Sequence, residues 1–290
     1  MKIDLYYNDS TISKDGTIIG YRKLGKGPRI LLIHGALMSS HDLMKLAAYL
    51  SKDFEVFILD RRGRGLSGSH GLYHNLAKET EDVLAIVEKE KLYNIFGLSS
   101  GANVALHAAY MLGNIYKIAL YEPPISDITS VNYNKDREFD QEINELIEKG
   151  EFGRSLVLLI KASGESKWSK MIPNSILERW MTFVINLQAK HIKGGEISLL
   201  SLIPTIKYDL RLELESEKEL ENYRSIKSIA LLLHGNRSSE DVVLTLHKLN
   251  GILQNSKIIR LAGLSHSSPA NNGKPEIIAK ELKLFFQDDI

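Results

Sequence analysis

The stretch Asn94–Leu112, "NIFGLSSGANVALHAAYML", decides how the rest of the chain is read. It opens with an apolar run and closes as a run of good helix formers. Between them lies Gly97-Leu98-Ser99-Ser100-Gly101, a G-x-S-x-G pattern. Three fixed positions in five recur by chance, so the pattern alone is weak. A strand before it and a helix after it make it specific. In a tight strand-to-helix turn the two backbones approach closely, and glycine two residues before and two after the central position permits this. The turn projects one side chain, Ser99, above the C-terminal edge of a sheet. There the helix N-terminus offers partial positive charge and free N–H groups. The glycine spacing centres on Ser99, not Ser100. The backbone N–H of Ser100 is then placed to receive an oxyanion. The plain alternative is a glycine-rich turn with Ser99 as a helix cap.

Outward from this turn, apolar runs alternate with helical patterns. Strands are expected at 17–25, 29–34, 54–60, 93–98, 117–122, 228–234 and 257–262, with an antiparallel start around 3–25. Several are apolar without alternation, as in strands buried on both faces of a parallel sheet. Helices are expected at 41–51, 76–91, 100–112, 240–251 and 274–287. Strand–helix repetition predicts an α/β fold, a mostly parallel eight-stranded sheet flanked by helices. The alternation stops at "EPPISDITS". From 124 to 225 the pattern is helical, over 136–149, 151–163, 174–190 and 216–225. The expected organisation is a core of 1–123 and 226–290 with a helical lid insert at 124–225.

Composition narrows the class. The 290 residues suit one large domain or one domain with a sizeable insert, 43% hydrophobic and 25% charged. Lys+Arg 37 against Asp+Glu 36 leaves a net charge of +1, which suggests neither a nucleic-acid nor a membrane partner. The absence of cysteine excludes disulfides, thiolate metal sites and a Cys nucleophile. "MKIDLYYNDS" lacks the apolar core of a signal peptide. No apolar run approaches the ~20 residues needed to span a bilayer. A cytoplasmic monomer or homodimer is expected, with neither metal nor cofactor.

With these motifs in place, the chain resembles the α/β-hydrolase superfamily over nearly its whole length. "LLIHGALMSS" (31–40) is similar to that family's oxyanion loop, and "LDRRGRGLSG" (59–68) to its D-x-R-G-x-G-x-S loop. "LAGLSHSSP" (261–269) carries His266 where the family keeps its base. The resemblance implies a serine esterase-like site: Ser99 as nucleophile, His266 as base, and backbone N–H groups of Ala36 and Ser100 as oxyanion donors. An imidazole titrates near neutrality, which suits both proton transfers. Aspartate at the nucleophile position would have pointed to a dehalogenase or epoxide hydrolase, and serine disfavours both. The implied substrate is a small, apolar carboxylic ester or related acyl compound. Acyl transfer, C–C bond hydrolysis and non-hydrolytic binding of a small molecule stay open on the same machinery.

The third triad member departs from the family pattern. The position past "LLLHG" that often holds Asp is Ser238, and "SSED" (238–241) reads as a helix start with Ser238 as cap and Asp241 returning the capping-box bond. Some members put the acid one strand earlier. There "KIALYEPP" offers Glu122, closing an apolar run before two prolines. Glu122 is the preferred acid, with Asp241 as the alternative.

Other features have simpler readings. "GRGLSG" (63–68) matches G-x-G-x-x-G but opens no helix directly, which argues against a dinucleotide site. Arg61, Arg62 and Arg64 read as a solvated loop, and Asp60 as an internal hydrogen-bond anchor. His34 and His234, which end two strands in the same His-Gly pair, are expected to be structural. His107 is expected to be packed, and His70, His74, His191 and His247 to lie on surface loops. Trp168, Met171, Trp180, Met181, Phe183, Val184 and Leu187 could line an acyl pocket, but most are expected to pack the lid's own core.

Overall fold

The computed structural model describes residues 6–125, 133–162 and 171–288. Among these, eight strands form one sheet in the order β1-β2-β4-β3-β5-β6-β7-β8. The strands are β1 (Tyr7–Ile12), β2 (Ile18–Gly25), β3 (Arg29–Ile33), β4 (Glu55–Leu59), β5 (Asn94–Leu98), β6 (Lys117–Tyr121), β7 (Ile229–Gly235) and β8 (Ser256–Leu261). β1 and β2 run antiparallel, and all pairings from β4 to β8 are parallel. The α/β class and the mostly parallel sheet are as the alternation implied.

The period of two along each strand divides the apolar side chains between two layers. Leu31, Ile33, Ile95, Ile118 and Leu120 face one cluster, built with α2 (Leu76–Glu90), α3 (Ser100–Leu112) and α9 (Glu240–Ile252). Ile30, Leu32, Phe96, Ala119 and Tyr121 face the other, with α1 (Met44–Leu50) and α10 (Pro275–Gln287). Both faces are covered, so the central strands need no polar alternation.

Between β6 and β7 lies the helical insert: α4 (Tyr133–Glu148), α5 (Phe152–Ala162), α6 (Asn174–Lys190), α7 (Leu199–Leu202) and α8 (Ile206–Lys218). It has its own apolar cluster, including Ile143, Val157, Leu177, Met181, Ile185, Ile203 and Ile206. A helix expected at 216–225 is instead α8, ten residues earlier, followed by a 3-10 turn at Asn222–Ser225. The buried face of α8 carries Asp209 and Ser216 beside Ile206 and Leu212, so its apolar period is broken. Of the aromatic and large apolar residues expected to pack the insert, Met181 does, but Met171, Trp180, Phe183 and Leu187 are exposed. Trp168 lies outside the described residues.

Candidate active site

β5 and α3 meet at Ser99, whose backbone is left-handed at φ +54° and ψ −128°. The two glycines clear different neighbours. A Cβ on Gly97 would lie 2.5 Å from the Ala102 Cα, against the helix. One on Gly101 would lie 2.4 Å from the His34 carbonyl oxygen, against the end of β3. The elbow is thus wedged between its own helix and the neighbouring strand. The Ser99 N–H donates to the Tyr121 carbonyl at 2.9 Å, which ties the elbow to the end of β6.

The next residue on β6 is Glu122. Its backbone is also left-handed (φ +49°) and its side chain is buried. A non-glycine residue in that region is strained, and such residues concentrate at functional positions. Its Oε2 accepts from His266 Nδ1 at 2.8 Å. Its Oε1 accepts from the Gly235 N–H at 3.0 Å and from the Ser238 hydroxyl. Burial pushes this carboxyl up, but the hydrogen bond and charge of His266, with those two donors, outweigh it and hold it below the usual carboxylate range. An ionised Glu122 accepts only, so His266 carries its proton on Nδ1, which leaves Nε2 of the neutral ring as an acceptor. The loop bearing His266 is fixed by the Tyr121 hydroxyl, which donates to the Ser265 carbonyl at 2.8 Å.

Asp241 is exposed in the first turn of α9. The helix cap is Ser239, accepting from the Val242 N–H, not Ser238. Ser238 is freed from capping because its hydroxyl serves Glu122. The two His-Gly strand ends share one local bond: His34 Nδ1 to the Gly35 carbonyl and His234 Nδ1 to the Gly235 carbonyl, each 2.9 Å. His107 is buried in α3, with Nδ1 3.4 Å from the Tyr223 hydroxyl.

The first His-Gly end forms the turn facing Ser99. A Cβ on Gly35 would lie 2.9 Å from the Ser99 Cβ. Among the described residues, neither the Ala36 nor the Ser100 backbone N–H has a hydrogen-bond acceptor. Two unsatisfied donors flanking a strained serine can receive a negatively charged oxygen. His34 is fully buried, and burial together with Arg64 and Arg61 keeps its imidazole neutral. It donates through Nδ1 and accepts the Arg61 N–H on Nε2 at 3.2 Å.

The arginines following β4 depart from the expected solvated loop. Arg61, Arg62 and Arg64 are not solvated; they are 1%, 1% and 3% exposed. Arg62 pairs with Asp82 and Asp15. Arg61 forks onto Glu79 at 2.6 and 2.9 Å and reaches Asp209 of α8 at 2.8 Å, and Arg64 pairs with the other Asp209 oxygen. His74 joins through Glu79 at 2.8 Å, and His70 stacks on Tyr208 of α8 with ring centroids 3.7 Å apart. Both histidines are buried rather than on the surface, unlike His191 and His247. A guanidinium leaves water only when its donors are met, and the acids on α2 and α8 meet them. No local signal reveals this, since the partners lie 18 to 148 residues away. Asp60 is the expected anchor, accepting from the Ser40 N–H at 2.7 Å and the Leu66 N–H at 3.0 Å. Among the described residues, no three His, Asp or Glu side chains are grouped to hold a metal ion, and no helix is long and apolar enough to cross a membrane.

A family model described as the alpha/beta hydrolase fold matches residues 28–143. An uncharacterized hydrolase, YraK, of Bacillus subtilis (strain 168) is 32% identical over 104 residues, 34% of this chain and 38% of that protein. That match therefore spans well under half the length of the curated relative. An alpha/beta hydrolase from Sphaerobacter thermophilus DSM 20745 superposes with a TM-score of 0.74 at 24% identity, over 96% of this chain and 100% of that one. A thermophilic esterase from Thermogutta terrifontis superposes with a TM-score of 0.70 at 13% identity, over 97% and 98%.

Proposed function

We propose that this chain, whose residues 28–143 match the alpha/beta hydrolase fold model, is a serine hydrolase of small, apolar carboxylic esters or related acyl compounds. The observation that carries the proposal is the pairing of buried Glu122 with His266 at 2.8 Å, on the strand beside the one that presents Ser99. In this reading Ser99 Oγ attacks the acyl carbon as His266 Nε2 takes its proton. Glu122 holds the imidazole in the required tautomer and stabilises the imidazolium as it forms. The Ala36 and Ser100 N–H groups receive the oxyanion. His266 then returns the proton to the leaving alcohol, and water releases the acyl group from Ser99 by the same steps reversed. The helical insert, packed over this edge of the core, acts as the lid. Likeness to an esterase from Thermogutta terrifontis agrees with the fold this chemistry needs.

The test is labelling with a fluorophosphonate, located by peptide mass spectrometry, together with turnover of p-nitrophenyl esters from acetate to octanoate. Wild type is expected to label at Ser99 and to turn over the shorter esters, and Ser99→Ala to lose both. Folded wild type that does not label at Ser99 rules the proposal out. Product analysis with an added alcohol or amine separates hydrolysis from acyl transfer.

A further inference from the structure

The Gly35 carbonyl and the Ala36 N–H belong to one peptide group. In a trans peptide they point in opposite directions, so whatever grips the carbonyl aims the N–H. Two donors grip it: His34 Nδ1 at 2.9 Å and Arg64 Nη1 at 3.1 Å. Arg64 is in turn held from the insert. Its Nη2 donates to Asp209 Oδ2, and its Nε to the Thr205 hydroxyl at 3.2 Å.

The second donor is tied to the same carboxylate. The Ser100 hydroxyl donates to Asp209 Oδ1 at 2.7 Å and accepts from Arg61 Nη1 at 2.9 Å. A third contact comes from packing. Leu37, left-handed at φ +56° directly after Ala36, lies against the insert's apolar cluster. Both candidate oxyanion donors are therefore held in part from the insert, through Asp209 of α8.

We infer that Asp209, carried on the insert, is a positioning residue for the oxyanion hole, acting on the Gly35–Ala36 peptide through Arg64 and on Ser100 directly. The inference rests on the serine-hydrolase reading above. A buried ion cluster adds little net stability, because desolvation offsets most of the attraction, so its contribution lies in the geometry it imposes. Donors that polarise the Gly35 carbonyl also strengthen the N–H at the other end of the same amide. Both effects favour the tetrahedral oxyanion over the planar ester, so they act on kcat rather than KM.

The experiment uses the full chain, with active sites counted by fluorophosphonate and p-nitrophenyl butyrate as substrate. Asp209→Asn is expected to lower kcat about 10- to 100-fold with KM within about twofold. It is expected to weaken binding of an alkyl trifluoromethyl ketone, which forms an oxyanion, by a similar factor. Affinity for the unfluorinated ketone should not change. A folded Asp209→Asn enzyme with wild-type kcat and trifluoromethyl ketone affinity overturns the inference, whatever its melting temperature. Should that variant fail to fold, Ser100→Ala and Arg64→Lys decide: each is expected to lose about threefold to tenfold in kcat, and wild-type values in both overturn it. Wild type that is neither labelled nor active instead fails the hydrolase reading, and the inference falls with it.

Discussion

Ser99 and Glu122 leave adjacent parallel strands, each with a positive φ, +54° and +49°, and the Ser99 N–H bonds the carbonyl of the residue just before Glu122. Strain at one such position is paid for by surrounding contacts. Strain at two neighbouring positions, cross-linked by a backbone hydrogen bond, makes one rigid unit of the two strand ends. His266 docks on that unit through Glu122.

The acid is therefore expected at Glu122. Glu122→Gln should lower kcat for p-nitrophenyl butyrate by about 10²- to 10⁴-fold through loss of the tautomer. Asp241→Asn should leave it within about twofold, as expected of an exposed helix-start residue. The reverse result moves the acid to α9. Because the Ser238 hydroxyl already touches Glu122 Oε1, Ser238→Asp in the Glu122→Gln background should recover about tenfold of the loss. A double variant no faster than Glu122→Gln denies that the site tolerates an acid from β7.

Gly101→Ala is expected to destabilise the protein by about 1–3 kcal/mol, because overpacking has no soft neighbour to displace. The added methyl would meet two backbone carbonyls, of His34 at 2.4 Å and Ile33 at 2.5 Å. Urea unfolding measures this, and a wild-type midpoint would mean that the elbow and β3 can separate freely.

Acid stability should report on Glu122 with a defined sign. Its folded pKa lies below the unfolded value. Its contribution is therefore complete above the unfolded carboxylate range and lost as pH falls through the folded pKa. Asp60 and Asp82, raised by burial, act in the opposite direction and are shared by wild type and variant. The urea midpoint of wild type should fall more steeply than that of Glu122→Gln between about pH 5 and 3. Parallel curves would show that the carboxyl titrates alike in both states.

What was legible in the sequence follows from the range of the forces involved. Ser99 and its glycines are local, since a tight turn needs them within five residues, and the buried strands announce themselves by unbroken apolar runs. That Glu122 is buried and paired was legible, because a carboxylate closing such a run has to be met by a donor. The arginines were not legible, because Arg61, Arg62 and Arg64 look the same in a string whether acids or water surround them. α8 escaped for the same reason: Asp209 occupies its buried face, where an apolar residue would have marked the period. Ser238 and Ser239 differ by one position, and either hydroxyl could cap α9 until Glu122 draws the first away.

The placement of Asp209 also bears on how such a chain can be recombined. Exchange of the segment between β6 and β7 is the obvious way to vary what the core admits, in evolution or by engineering. Here that exchange would carry off a carboxylate and leave Arg61 and Arg64 buried behind it, with Glu79 alone on the core side of the cluster among the described residues. A donor segment therefore needs an acid that meets those guanidinium groups, or a recipient in which they have been replaced. The transferable unit is the insert together with residues 61 to 64, two stretches of chain that have to change in step.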